Sequence, residues 1–151
     1  MKNQYIHTSL TRISDLTEKD YEVVKLPREK WKTGDYVVCK ILDPGSSTLL
    51  LELPNGRMRG VIGGELLVGA LGERYATLEA TGTWRKVGED LKMNVLTGAG
   101  LLGKLTSRSA FMPNMMELQY IGHAHRNGKS LNMNDFVKPF EIIPFKTPVI
   151  L

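Results

Sequence analysis

A chain of 151 residues, 42% apolar and 24% charged, has the size and composition of one globular domain that can bury a core without disulfide or metal staples. Its 20 basic and 16 acidic residues leave a net charge of +4, and seven Lys/Arg stand among six Asp/Glu within residues 1–35. Such interspersed charge argues for a solvated surface rather than the one-sided basic footprint of a nucleic-acid binder, and a lone cysteine, Cys39, excludes an intrachain disulfide and any Cys-rich zinc site.

No apolar run approaches the ~18–20 residues of a membrane span, so no membrane segment is expected. The N-terminus MKNQYIHTSL lacks the apolar stretch and cleavage pattern of a secretory signal, which leaves the cytoplasm as the expected compartment. Cys39 falls in an apolar run and is expected to be a buried small hydrophobe, not a nucleophile.

Residues 1–33 form an N-terminal arm in this sequence, polar and mixed over 1–13. Thr17 and Asp20 approximate a capping box, and Leu16, Tyr21 and Val24 could line a short helix that Pro27 stops. The β-branched pair Val23-Val24 argues instead for an extended segment.

From Gly34 the pattern becomes one of short strands. Asp35–Leu42 (DYVVCKIL) is an apolar strand, followed by the turn Asp43-Pro44-Gly45-Ser46. Thr48–Leu53 and Arg57–Ile62 flank Asn55-Gly56, a hairpin signal, and Glu65–Leu71 follows Gly63-Gly64. The short connections predict antiparallel pairing of successive strands. Tyr75–Trp84 (YATLEATGTW) alternates strictly, with Ala76, Leu78, Ala80, Gly82 and Trp84 on one face, and predicts a single half-buried strand. Leu91–Thr97 and Met115–His125 alternate similarly, and Asn127-Gly128 returns the chain through Lys129–Asn134.

About eight or nine short strands with almost no helix predict an all-β fold, a compact antiparallel β-barrel or sandwich over residues 34–137. Residues 138–151, spaced by Pro139, Pro144 and Pro148, read as an extended tail. Its apolar end, Pro148-Val149-Ile150-Leu151, is either a strand docked on the domain or a linker to a further domain.

Two stretches invite a chemical reading. Gly98-Ala99-Gly100-Leu101-Leu102-Gly103-Lys104 satisfies G-x-G-x-x-G and nearly satisfies the phosphate loop, making Gly98, Gly100, Gly103 and Lys104 candidate phosphate ligands. Leu105 stands where the Mg²⁺-binding hydroxyl belongs, and Pro113 cuts short any helix that could aim its N-terminus at phosphate. A glycine-rich crossover that lets strands pack closely is the plainer interpretation. His123 and His125 project to one side of a strand and form half of a metal site, but no third ligand lies at a local spacing. The plainer interpretation there is a solvent-facing pair.

Ser107, Ser109 and Ser130 show no obvious base, and Glu89-Asp90 falls in a polar loop. Phe111, Met112, Met115 and Met116 form an adaptable apolar cluster, either core or a surface for a second domain or a second copy. Arg57, Arg59, Arg74, Arg85 and Lys86, with Tyr75, Trp84 and Tyr120, are what a nucleic-acid-binding barrel would use. The expectation is a non-catalytic β-barrel binding or assembly module, with no cofactor implied and its ligand unidentified. The alternatives are an enzyme with its site near Gly98–Lys104 and His123/His125, and an oligonucleotide-binding barrel.

Overall fold

The computed structural model describes residues 4–144 and Pro148. Twelve strands run in chain order as β1 (Tyr5–His7), β2 (Glu22–Val24), β3 (Tyr36–Asp43), β4 (Leu51–Glu52), β5 (Met58–Arg59) and β6 (Leu66–Leu71), then β7 (Glu73–Ala76), β8 (Ala80–Thr83), β9 (Lys92–Thr97), β10 (Leu101–Arg108), β11 (Glu117–Arg126) and β12 (Lys129–Ser130). The helical content of the described residues is four single 3-10 turns, at Ser9–Thr11, Arg28–Lys30, Trp84–Lys86 and Met133–Phe136. The fold is mostly β, as the alternation predicts.

Ten strands share one sheet, while β4 and β5 pair only with each other across the Asn55-Gly56 turn. Strand β6 bonds to β3 on one side and β10 on the other; β3 bonds to β11, β11 to β9, and β9 to β10, so the pairings return to their start. Antiparallel pairing of neighbours along the chain holds for β4–β5, β7–β8, β9–β10 and β11–β12 but not between β3 and the strand that follows it. There β3 skips the β4–β5 hairpin to pair with β6, and β6 pairs in parallel with both β1 and β10. These parallel pairs are long-range and leave no local trace in the sequence.

The continuous apolar run of β3 has a physical cause. Val37, Cys39 and Ile41 enter one core cluster with Leu67, Leu71, Met93, Leu102, Leu118 and Tyr120, whereas Tyr36 and Val38 enter a second with Val68, Ala70 and Ala124. Both faces of the strand are buried, so the sequence does not alternate. The second cluster is covered by the N-terminal arm, through Tyr5, Leu10, Leu16, Tyr21 and Val23, and by Met133 and Phe136.

Two expected elements differ. Residues 14–20 form turns and 22–24 form β2, so the short N-terminal helix is not formed; pairing of Val23 and Val24 with β11 suits their branched side chains better. The stretch 75–84 is a hairpin, with Glu79 N–H bonded to Ala76 carbonyl at 2.9 Å, not one strand. Ala80, Gly82 and Trp84 are buried as the alternation requires, but Leu78 sits at the tip and is 91% exposed. In the tail, residues 138–144 have no regular structure and Phe140 is 87% exposed; the apolar end beyond Pro148 lies outside the described residues.

Candidate functional site

The β11–β12 hairpin builds one wall of a polar cleft. Asn127 (φ 52°) and Gly128 (φ 73°) supply the two left-handed residues of a two-residue hairpin turn. That turn fixes the register, placing Arg126 opposite Lys129 and His125 opposite Ser130. Directly opposed residues share a face, and the Ser130 hydroxyl lies 2.8 Å from His125 Nε2. Downstream, Asn132 and Asp135 close a capping box on the 3-10 turn Met133–Phe136. Lys129 Nζ and the Asn132 N–H, each at 2.9 Å, hold the Asp135 carboxyl below the usual carboxylate range.

Leu26–Asp35, the segment entering β3, makes the opposite wall. Asp35 is buried and its carboxylate accepts from Lys32 N–H and from the Asn132 side-chain amide, both at 2.8 Å. The same amide donates to Thr33 carbonyl at 2.9 Å, tying the two walls together. Between them lies a cleft of about 710 Å³ whose lining includes Lys32, Asp35, His125, Lys129, Ser130 and Asn132.

A second polar layer is buried behind it. His123 has no exposed surface; its Nδ1 lies 2.7 Å from the Tyr120 hydroxyl and its Nε2 lies 3.2 Å from Asp35 Oδ2. The Tyr120 oxygen also accepts Leu26 N–H at 3.1 Å, and His123 Nε2 faces the Asp35 carboxylate. That last approach is too oblique for a formed hydrogen bond, leaving an electrostatic contact. The Trp31 ring packs on Tyr120 at 4.4 Å and on His123 at 5.5 Å between centroids. Burial pushes the Tyr120 hydroxyl up to about 12, so it remains a proton donor at neutral pH.

The two histidines therefore do different work. His123 is wholly buried, not solvent-facing as the plainer interpretation of the pair had it, because Trp31 and the arm strand β2 cover that part of β11. His125 is half-buried at the cleft. Among the described residues no group of three or more His, Cys, Asp or Glu is placed to hold a metal ion.

Gly98–Lys104 forms the β9–β10 turn and the first residues of β10. The carbonyls of Gly98, Ala99 and Gly100 accept the N–H groups of Glu52, Leu10 and Ala70 at 2.8, 3.0 and 2.9 Å. A phosphate cradle presents N–H groups outward, whereas this turn presents carbonyls inward to the surrounding backbone. Gly103 packs against the Thr83–Trp84 backbone, where a Cβ would lie 2.7 Å from Trp84 N, and Lys104 pairs with Thr83 across β10–β8.

Met112, Met115 and Met116 do come together, lining an apolar groove of about 170 Å³ with Leu49, Leu50 and Leu96. Met116 is buried at its floor, while Phe111 beside it is 99% exposed. The aromatic and basic residues of the oligonucleotide reading do not share one open face: Trp84 and Tyr120 are core, and Tyr75 is 72% exposed. Arg59, Arg74 and Arg85 are ion-paired with Glu65, Glu79 and Glu73. Cys39 is buried, and desolvation raises its thiol well above the usual range.

Asp35, Asn132 and the pairing of Ser130 with His125 are absent from the sequence expectations. Only the last had a local signal, because a two-residue turn at 127–128 by itself sets 125 opposite 130. Asp35 and Asn132 meet across 97 residues, which no spacing announces.

Compared with protein-family models, curated proteins and solved structures, the chain matches none.

Proposed function

We propose that this chain is an all-β binding module, that the circuit β6–β3–β11–β9–β10 closes as a small barrel, and that the polar cleft is its ligand site. One observation carries the reading: side chains from two segments distant in sequence, 26–35 and 125–135, converge on one cleft, and Asn132 bonds the two walls to a buried carboxylate. The lining mixes Lys30, Lys32 and Lys129 with Glu29, Asp35 and Asp135, which suits a small polar molecule bearing both charges rather than an apolar one. The lone buried cysteine supports a reducing, cytoplasmic setting for such a module.

Titration of the ¹⁵N-labelled protein with a panel of free amino acids and dipeptides tests this. Saturable shifts at Lys32, His125, Ser130 and Asn132 are expected with at least one compound, and shifts confined to other faces would overturn the cleft as the site. The assembly form of the reading keeps one specific support, the exposed Phe111 beside the methionine groove. Sedimentation of wild type and Phe111→Ser addresses it: a concentration-dependent association lost in the variant is the outcome expected of an assembly surface.

A further inference from the structure

His125 is paired on both sides. Strand β12 sets Ser130 opposite it, and strand β2 sets Glu22 opposite it on the other flank. Residues in direct register across a sheet project to the same face, with neighbouring backbones about 4.5–5.5 Å apart. Three strands therefore present a carboxylate, an imidazole and a hydroxyl in one row, Glu22–His125–Ser130. The hydroxyl end is already joined, Ser130 Oγ to His125 Nε2 at 2.8 Å. Ser130 and His125 are half-buried in the cleft wall, while Glu22 is exposed and free to turn toward the remaining ring nitrogen.

We propose that this row makes Ser130 a nucleophile toward small polar activated esters entering the cleft. The order of groups is that of acyl-transfer sites: nucleophile, base, and an acid that orients the base. Ser130 Oγ attacks the carbonyl carbon and forms a C–O bond while His125 Nε2 takes the hydroxyl proton. The tetrahedral adduct collapses, the bond to the alcohol leaving group breaks, and His125 returns the proton to it. Water, deprotonated by the same imidazole, then hydrolyses the acyl-serine and restores the hydroxyl. Ser130 and His125 are the catalytic residues of this proposal; Glu22 is a positioning residue. The other charged side chains of the cleft lining are Glu29, Lys30, Lys32, Asp35, Lys129 and Asp135.

The ligand-binding reading does not require this chemistry, and the two fail separately: a cleft that binds without reacting still gives saturable shifts. The test is reaction of the full chain with a fluorophosphonate, in which a Ser130 O–P bond forms, fluoride leaves and His125 accepts the proton. Peptide mapping is expected to find the adduct on Ser130. The labelling rate should fall about 100-fold or more in His125→Gln, and Ser107→Ala should be unchanged. In Glu22→Gln the rate should drop, and Glu22→Asp, which keeps the carboxylate, should restore part of it. Thermal melting of each variant separates loss of reaction from loss of fold, and at pH 8 the wild type itself gives the deciding result. No adduct on Ser130 in the folded wild type, or an adduct formed at the same rate in folded His125→Gln, would overturn the proposal.

Discussion

Two of the tight turns that join antiparallel strands, β9 to β10 and β11 to β12, use their residues in opposite ways. The turn at 98–100, between β9 and β10, carries the motif that looks like chemistry, yet its residues are Gly, Ala and Gly and its carbonyls are spent on Glu52, Leu10 and Ala70. The turn at 127–128, between β11 and β12, carries only Asn-Gly, yet it sets His125 against Ser130 and delivers Asn132 to Asp35. Glycine at the first turn is a packing requirement, with a left-handed φ added at Gly100; glycine at the second is conformational alone, with nothing within 4 Å of a Cβ at Gly128. A glycine pattern therefore says that backbone comes close to something. Here that something is the backbone of Leu50 at Gly98, the backbone of Thr83–Trp84 at Gly103 and the Thr8 side chain at Gly100.

The comparison breaks most sharply at Gly100. Its φ is +94° and a Cβ there would sit 2.0 Å from Thr8 Oγ1, with Thr8 itself buried. Gly100→Ala combines a left-handed penalty with overpacking and should destabilise the fold by about 3 kcal/mol. Chemical denaturation measures this. A loss under about 1 kcal/mol would mean that the arm lifts away cheaply and that the turn is not a packing device.

Asp35→Ala is expected to rank next. The carboxylate satisfies Lys32 N–H and the Asn132 amide in a buried setting, so its removal leaves two donors unmet and should cost about 2 kcal/mol. The same variant should abolish any saturable shifts in the cleft. Gly128→Ala is milder: the φ of +73° is strained for alanine but the space is open, giving about 1 kcal/mol. If Gly128→Ala cost more than Gly100→Ala, the contrast between the two turns would be inverted.

The all-β class was legible because period-two alternation and Asn-Gly punctuation are local signals, and β9 and the β11–β12 hairpin follow them closely. The hairpin at 73–83 was not, because Thr77, Leu78 and Glu79 continue the alternation through the turn and carry no Gly, Pro or Asn. The pairing of β3 with β6 past an inserted hairpin, and the parallel pairs of β6, are set by which faces bury each other, not by neighbours in sequence. The site divides the same way. His125 stood out by its type, and the turn at 127–128 fixed its partner; Asp35 looked like the polar start of a strand, and only the fold buries it.

The smallest expected effect concerns the arm that rests on the glycine turn. His7 precedes Thr8 and lies 3.1 Å, at Nε2, from the Tyr21 hydroxyl, with Glu18, Lys19 and Asp20 lining the adjoining cleft. Desolvation by burial lowers its pKa below the ordinary value near 6.5, and the backbone at Tyr5 offsets this only in part. The unfolded chain therefore takes up a proton near pH 6.5 that the folded chain resists, so the unfolded state binds more protons as the pH falls. Stability from this group is fully present above the unfolded pKa and declines as pH drops through the lower, folded one. Unfolding free energies of wild type and His7→Gln between about pH 7.5 and pH 5 should converge on acidification, the wild type losing more. Parallel curves would show that His7 opens to water without disturbing Tyr21, and that the arm is held by Thr8 against Gly100 rather than by the imidazole.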